Sequence, residues 1–213
     1  MRTYPKIPSP YKRHTDGPNR NKFIIGDWAT PELEYLQNSN WVWTEKIDGT
    51  NIRISWDGYK ITYGGRTDNA QIPAKLITVL DSLLPEELLE QTFGNTSAIL
   101  YGEGYGAGIQ KGGVYRPDMS FILFDVLIGG FWLLRSSIED IAKSLGIDCV
   151  PIMDISKVGT IHEAISAVKS KKITINSNSN SDQVIEGLVG VTSIGLLDRS
   201  GDRIMVKIKT KDF

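Results

Sequence analysis

The stretch WTEKIDGTNIRISWDG, residues 43 to 58, sets a lysine among aromatic and β-branched residues, beside an aspartate and a glycine, just before a strand pattern. A primary amine in that setting is either a solvated charge near a turn or a nucleophile. To be a nucleophile it must lose its proton, and a free lysine amine, with a pKa of about 10.4, does so near neutrality only where burial or neighbouring cations disfavour its charge. The neutral amine can then attack phosphorus and hold a covalent intermediate. Lys46 is the first candidate for chemistry in this chain.

Other charged side chains fall where they could act with it. Ile52, Ile54 and Trp56 alternate with Arg53 and Ser55, as in a half-buried strand, and Asp57-Gly58 is a hairpin signal before a second strand, Tyr59 to Tyr63. If Asp57-Gly58 is a two-residue turn, Trp56 pairs with Tyr59, Gly49 lies opposite Arg66, and the hairpin carries Arg66 back beside Lys46. Near the end, VKIKTK puts Lys207, Lys209 and Lys211 on one strand face at a spacing of about 6.6 Å, which suits the oxygens of a triphosphate. An edge strand protected by lysines explains that row equally well. Glu103 follows the apolar run AILYG and Glu186 stands inside VIEGLV; a carboxylate in an apolar strand is costly unless it is paired or binds a ligand. The glycine-rich GEGYGAG lacks the Gly-Lys-Ser/Thr ending of a phosphate loop and the βαβ setting of a dinucleotide fingerprint.

The elements that must hold these residues read as a mixture. Helical spacing runs over Ala74 to Leu84, Glu86 to Gln91, Ser136 to Leu145 and Thr160 to Lys171. Strand patterns cover Ser97 to Tyr101, Met119 to Ile128 with Phe131 to Arg135, Val184 to Val191 and Ile204 to Thr210. The expected fold class is α+β, with mainly antiparallel sheets flanked by helices. Residues 1 to 22, rich in Pro, Lys and Arg, read as a basic N-terminal arm ahead of one domain over 23 to 213, and NSNSNSDQ (176 to 183) as an exposed loop. The 213 residues are 40% apolar and 23% charged with a net charge of −1, so a polyanion must be held by local basic clusters. Those clusters are Lys6, Lys12, Arg13, Arg20 and Lys22, and the lysine row. Cys149 is the single cysteine, which excludes an intrachain disulfide and a thiolate metal cluster, and His14 and His162 lack metal-ligand spacing. With no apolar leader and no run long enough to span a bilayer, the expected setting is cytoplasmic, or the host cytoplasm for a viral protein.

In order, these pieces resemble the covalent nucleotidyltransferase superfamily of polynucleotide ligases and capping enzymes. Lys46-Ile47-Asp48-Gly49 matches its Lys-x-Asp-Gly motif, LYGEGYG its next acidic motif, FILFD its aromatic motif, and EGLV and IKTK its last two. The extended EKIDGTN, the GRT around Arg66 and the phrase GAGIQKGG look most like RNA ligases of the phage nick-sealing type, RNA ligase 2. The resemblance implies a ligase adenylation (nucleotidyltransferase) domain that uses ATP and Mg2+ or Mn2+. Lys46 would take AMP; Glu45 and Asn51 would contact the nucleoside or its phosphate, Arg66 the nucleotide, and Glu103 the ribose. Phe121 would stack on adenine or else pack in the core. Glu186 would support metal and phosphate, and Lys209 and Lys211 would hold phosphates, with Lys207 taking either place if the alignment shifts by two residues.

The substrate implied is RNA with a 5′-phosphate and a 3′-hydroxyl, nicked or duplex, with no membrane partner. Ligases of this branch continue into a C-terminal domain that grips nucleic acid. With the sequence ending at Phe213, the expectation is a minimal ligase, or an adenylating chain aided by a partner protein or by its own arm. The rivals are a DNA ligase, a capping guanylyltransferase, and a non-catalytic nucleic-acid binding protein on the same scaffold. The last would be expected to have lost the lysine or the motif acids.

Overall fold

A computed structural model of the chain describes residues 1–153, 159–175 and 182–213. In chain order its elements are β1 (Tyr11–Arg13), β2 (Phe23–Trp28), α1 (Pro31–Leu36), β3 (Trp41–Glu45), β4 (Thr50–Trp56), β5 (Ile61–Gly64), α2 (Ala74–Leu83) and α3 (Glu86–Phe93). They continue with β6 (Ala98–Tyr105), β7 (Ser120–Ile128), β8 (Phe131–Trp132), α4 (Arg135–Leu145), β9 (Asp148–Cys149), α5 (Ile161–Lys169), β10 (Gly187–Thr192) and β11 (Met205–Lys209). Short 3-10 turns occupy Gly112–Val114 and Thr210–Asp212. The class is the expected α+β with mainly antiparallel sheets. The chain forms two units, Met1–Tyr4 with Ile47–Val150, and Pro5–Lys46 with Pro151–Phe213.

In the first unit the sheet order is β5-β4-β6-β7-β8, antiparallel throughout, with β9 parallel to β7. Alternation in β4 turns Ile52, Ile54 and Trp56 toward Leu76 and Leu80 of α2, Leu89 and Phe93 of α3, and Ile138 and Ala142 of α4. On β7, Phe121 and Leu123 join that core, and so does Val126. The change from odd to even positions needs an extra residue. Tyr101 pairs with Asp125 but Gly102 pairs with Leu123, which leaves Phe124 as a β-bulge.

The opposite sheet face carries a cross-strand row, Arg53, Tyr101 and Asp125. Each has a partner among the first four residues. Arg53 Nη1 donates to the Met1 carbonyl (3.1 Å), the Tyr101 hydroxyl to the Arg2 carbonyl (3.1 Å), and the Tyr4 hydroxyl to Asp125 (2.9 Å). The Tyr4 ring also packs on Tyr101, Phe124 and Trp132, with centroids 5.0, 4.9 and 5.7 Å away.

The second unit holds a sheet ordered β11-β10-β3 and the β1–β2 hairpin. Helix α5 begins at a full capping box: the Thr160 hydroxyl accepts from the Glu163 amide while the Glu163 carboxylate accepts from the Thr160 amide. Its buried face is Ile161, Ala164, Ile165 and Val168. Gly190 leaves room for the Trp43 ring, since a Cβ there would fall against ring carbons.

Several local expectations change. The first hairpin has a longer loop, because the Asp57 carboxylate accepts from the amides of Tyr59 and Lys60 (2.9 and 2.8 Å) and sets its own turn. Trp56 therefore pairs with Ile61, a shift of two residues that preserves the faces but not the partners. The β4–β5 ladder ends at Arg53 and Gly64, so it does not place Arg66 opposite Gly49; Arg66 lies exposed in the loop beyond β5. Arg53 is fully buried instead of alternating outward.

Residues 1 to 13 are bonded into the fold, and residues 15 to 22 form the exposed connection from β1 to β2. Met1–Tyr4 lie in the first unit and β1 pairs with β2, while Lys12 is held by Asp27 (2.7 Å) and Arg13 by Asp212 (2.7 Å). Strand β6 runs on through GEGY, so Glu103 is a strand residue. Of the expected polar loop, residues 176 to 181 lie outside the described residues.

Gly102 shows how tightly the first core is filled. A Cβ there would fall inside contact distance of the Phe121 ring and the Ile122 carbonyl. Gly102→Ala is expected to destabilise the protein by about 1–3 kcal/mol through overpacking, read as a lower urea midpoint at unchanged slope. An unchanged midpoint would show that the ring can move aside.

Candidate active site

In the second unit the ends of three adjacent strands carry the charged residues. After β3 ends at Glu45, the Lys46 amide donates to the Gly187 carbonyl (3.0 Å) and extends the ladder by one residue. Gly187 pairs with Lys209 across β10 and β11, and the Thr210 amide donates to the Glu186 carbonyl (2.8 Å). The glycine is required at this point, since a Cβ on it would collide with the Ile208 carbonyl. Lys46, Glu186 and Lys209 are thereby neighbours across the sheet.

The Glu186 carboxylate sits between the two amines. Its Oε2 is 2.6 Å from Lys46 Nζ and its Oε1 is 3.1 Å from Lys209 Nζ. The three side chains are 22%, 20% and 23% exposed, open enough to meet a ligand and shielded enough for charge to matter. Two cations share one anion, so the cluster carries one positive charge in excess, and an anionic ligand can take over both ammonium groups. An amine held as an ammonium by a carboxylate has no lone pair to offer, so attack from Lys46 requires that contact to open.

The lysine row is shorter than the sequence suggests. Lys207 and Lys209 are on β11, but Lys211 falls in the 3-10 turn after it and is exposed. β11 is an edge strand of its sheet, and the Pro8 carbonyl accepts from the Lys207 amide (2.9 Å). Glu45 is buried at the end of β3. Among the described residues no group of three or more His, Cys, Asp or Glu side chains could cage a metal ion. Among them, too, no helix is long and apolar enough to cross a membrane.

The remaining candidates belong to the first unit. Asn51 on β4 pairs with Glu103 on β6. Asn51 Oδ1 is buried with no hydrogen-bond partner among the described residues. Such an acceptor costs about 1–3 kcal/mol until a donor reaches it, which makes Asn51 a natural contact for a ligand N–H or O–H. Phe121 is fully buried within the core, which matches its packing alternative.

Two residues went unremarked in the sequence. Tyr115, nearly buried, accepts through its hydroxyl from the Asp48 amide (3.1 Å) and so fixes the backbone of the Lys-x-Asp-Gly stretch. No spacing signal could have revealed it. Arg53 is the other; its place in an alternating strand suggested solvent.

Removing the shared carboxylate should be felt in the folded state. Glu186→Gln keeps the shape but leaves Lys46 and Lys209 with no opposing charge, and an expected loss of about 1–2 kcal/mol follows for charge-assisted bonds that are partly exposed. In a double-mutant cycle with Lys209→Ala by urea denaturation, the losses should be less than additive. Full additivity would mean the pair is not coupled.

The chain as a whole has known relatives. Residues 39–209 match the RNA ligase family. A search of curated protein sequences returns no match. Among solved structures, the chain is similar to a mutant of Naegleria gruberi RNA ligase with ATP and Mn, at 19% identity and a TM-score of 0.64, covering 84% of this chain and 52% of that one. A second mutant of that ligase with ATP and Mn gives 18% identity and a TM-score of 0.65, covering 98% and 64%. A third, with AMP and Mn, gives 19% and 0.65, covering 85% and 52%. The chain thus spans roughly half to two thirds of the length of these structures, and at such identity they show a common fold. With the family match running over most of its length, the chain belongs to the RNA ligase family.

Proposed function

We propose that the protein is an ATP-dependent RNA ligase that joins 5′-phosphate to 3′-hydroxyl ends through AMP carried on Lys46. The observation that carries this reading is the Glu186 carboxylate shared between Lys46 and Lys209, in a chain of the RNA ligase family. The Naegleria gruberi structures with ATP or AMP and Mn add support for the nucleotide and for a divalent metal.

In the first step the Lys46 contact to Glu186 opens, the ammonium gives a proton to solvent water, and Nζ attacks the α-phosphorus. An N–P bond forms, the bond to pyrophosphate breaks, and pyrophosphate leaves. The 5′-phosphate of an RNA end then attacks the same phosphorus and frees the lysine. Last, the 3′-hydroxyl attacks the 5′-phosphorus and AMP departs. Lys209 neutralises phosphate charge throughout, with Lys211 as a second phosphate contact. Asn51 and Glu45 meet the nucleoside or its phosphate, Glu103 the ribose, and Arg66 the nucleotide. Mg2+ or Mn2+ brought in with the nucleotide would be held by Glu186 and would supply neutralisation of phosphate charge.

Incubation with labelled ATP and magnesium followed by a denaturing gel should show an acid-labile adduct that Lys46→Ala abolishes. Label from GTP instead would favour a capping guanylyltransferase, and a labelled Lys46→Ala protein would remove Lys46 from the role. Lys209→Ala should slow adduct formation by ~10²–10³, while Lys60→Ala, on the exposed hairpin loop, should leave it near the parent rate. Equal small effects at both positions would return the lysines of β11 to edge protection.

On substrates, a nick in duplex RNA is expected to be sealed faster than free single strands, because the complementary strand holds both ends. Sealing should fall with salt, each neutralised phosphate adding about −0.7 to −0.9 to the log–log slope. Preferential sealing of nicked DNA would favour the DNA ligase reading.

A further inference from the structure

Arg53 is fully buried on β4, and all of its bonding is to the chain itself. Its Nε donates to the Gly65 carbonyl (2.6 Å), its Nη2 to the Asp68 carboxylate (2.9 Å), and its Nη1 to the Met1 carbonyl (3.1 Å). Gly64, its cross-strand partner, makes room for the guanidinium; a Cβ there would stand 3.0 Å from Nη2 and 3.3 Å from Cζ. A buried cation is expensive to desolvate, and an apolar side chain of similar volume often serves stability as well. What an apolar residue could not do is hold several acceptors at fixed angles, as the planar fork of an arginine does.

Two of those acceptors bracket one residue. Gly65 directly precedes Arg66, and Asp68 follows it after Thr67. The turn is closed beyond them by the Ala70 amide donating to the Thr67 carbonyl (3.1 Å). The exposed Arg66 is thus carried on a short loop, both flanks of which are tied to one guanidinium. That guanidinium stands two residues from Asn51 on the same strand.

We infer that Arg53 is a positioning residue for Arg66, fixing the 65–68 loop so that Arg66 meets the nucleotide already ordered. The inference rests on the proposed role of Arg66 as a nucleotide contact. A loop ordered in advance spares the ligand the entropy of ordering it, so the effect belongs in affinity for ATP more than in the maximal rate of adenylation. Lysine in place of Arg53 keeps charge and stem but has no fork. Loss of Asp68 unties one flank while leaving the buried arginine in place.

The test compares the parent protein with Arg53→Lys, Asp68→Ala, Arg66→Ala and the double variant Arg53→Lys/Arg66→Ala. Label transfer to Lys46 is followed across ATP concentrations, beside ATP binding by calorimetry and thermal melting. Arg53→Lys and Arg66→Ala should each weaken ATP about tenfold with a maximal rate changed at most about threefold. Asp68→Ala should move affinity in the same direction by less, and it carries the test if Arg53→Lys does not fold. The double variant should be no weaker than Arg66→Ala, because Arg53 acts through Arg66. Multiplying losses in the double variant would overturn the inference, as would Arg53→Lys or Asp68→Ala variants with lower melting points but unchanged ATP dependence. A labelled parent whose Arg66→Ala variant binds ATP normally would sink the positioning role and leave the ligase reading standing. A parent that takes no label but shows the expected coupling in calorimetry would do the reverse.

Discussion

A single carboxylate held between two amines is the constraint on which the second unit turns. Glu186 can reach Lys46 and Lys209 together only if β3, β10 and β11 keep their register to the residue. A one-residue slip in either ladder would turn a lysine to the opposite face. The sequence guards that register by shape. Gly187 admits no Cβ beside Ile208, Gly190 seats the Trp43 ring, and Ile208 and Leu188 are completely buried. The shared carboxylate contributes about 1–2 kcal/mol at this exposure, a small part of the stability of a fold. Its importance is positional: a nucleophile candidate, a carboxylate and a second amine are set side by side at strand ends.

The first unit solves a different problem. Its sheet must bury a large apolar core on one face and still carry polar groups on the other. The bulge at Phe124 lets β7 serve both, since Phe121, Leu123 and Val126 reach the core while Asp125 joins Arg53 and Tyr101 behind it. Residues 1 to 4 then satisfy that polar row one group at a time. Without them the arginine, the phenol and the carboxylate would each lose one hydrogen bond. This explains why charged and aromatic residues at the start of the chain are folded in and not free.

Much of this was legible beforehand, and the misses have physical causes. The helices over 74–83 and 135–145 and the strands over 98–101 and 187–191 follow from periodicity and punctuation. The motif residues were named from the resemblance, and of them Lys46, Glu186 and Lys209 stand in contact at the strand ends. What local pattern could not supply was register. The Asp57 carboxylate built a longer loop than Asp-Gly alone suggests, which moved the partner of every residue in the hairpin and removed Arg66 from the ladder. Lys211 looked like a strand residue because alternation continues past Lys209, but the chain turns at Thr210, whose hydroxyl donates to the Ile185 carbonyl (2.7 Å). Arg53 was read as solvent-facing because its partners, Met1 and the 65–68 loop, are distant in sequence or unremarkable in it.

Lys46 and Arg53 stand in one short stretch and show how residue type divides labour between cations. An arginine in a protein keeps its charge, and its five donors lie in a rigid plane, so it suits a place where bonds must never lapse. Arg53 is in such a place, with each nitrogen occupied and no exposure to solvent. A lysine carries its charge on a single nitrogen at the end of a flexible stem, and it can surrender its proton and form a bond through the same atom. Lys46 keeps its nitrogen in one reversible contact at the partly open end of a strand. Exchanging the two residue types would leave composition and net charge unchanged. It would put a guanidinium that cannot be deprotonated where the proposed nucleophile stands, and a point charge where a fork holds the loop.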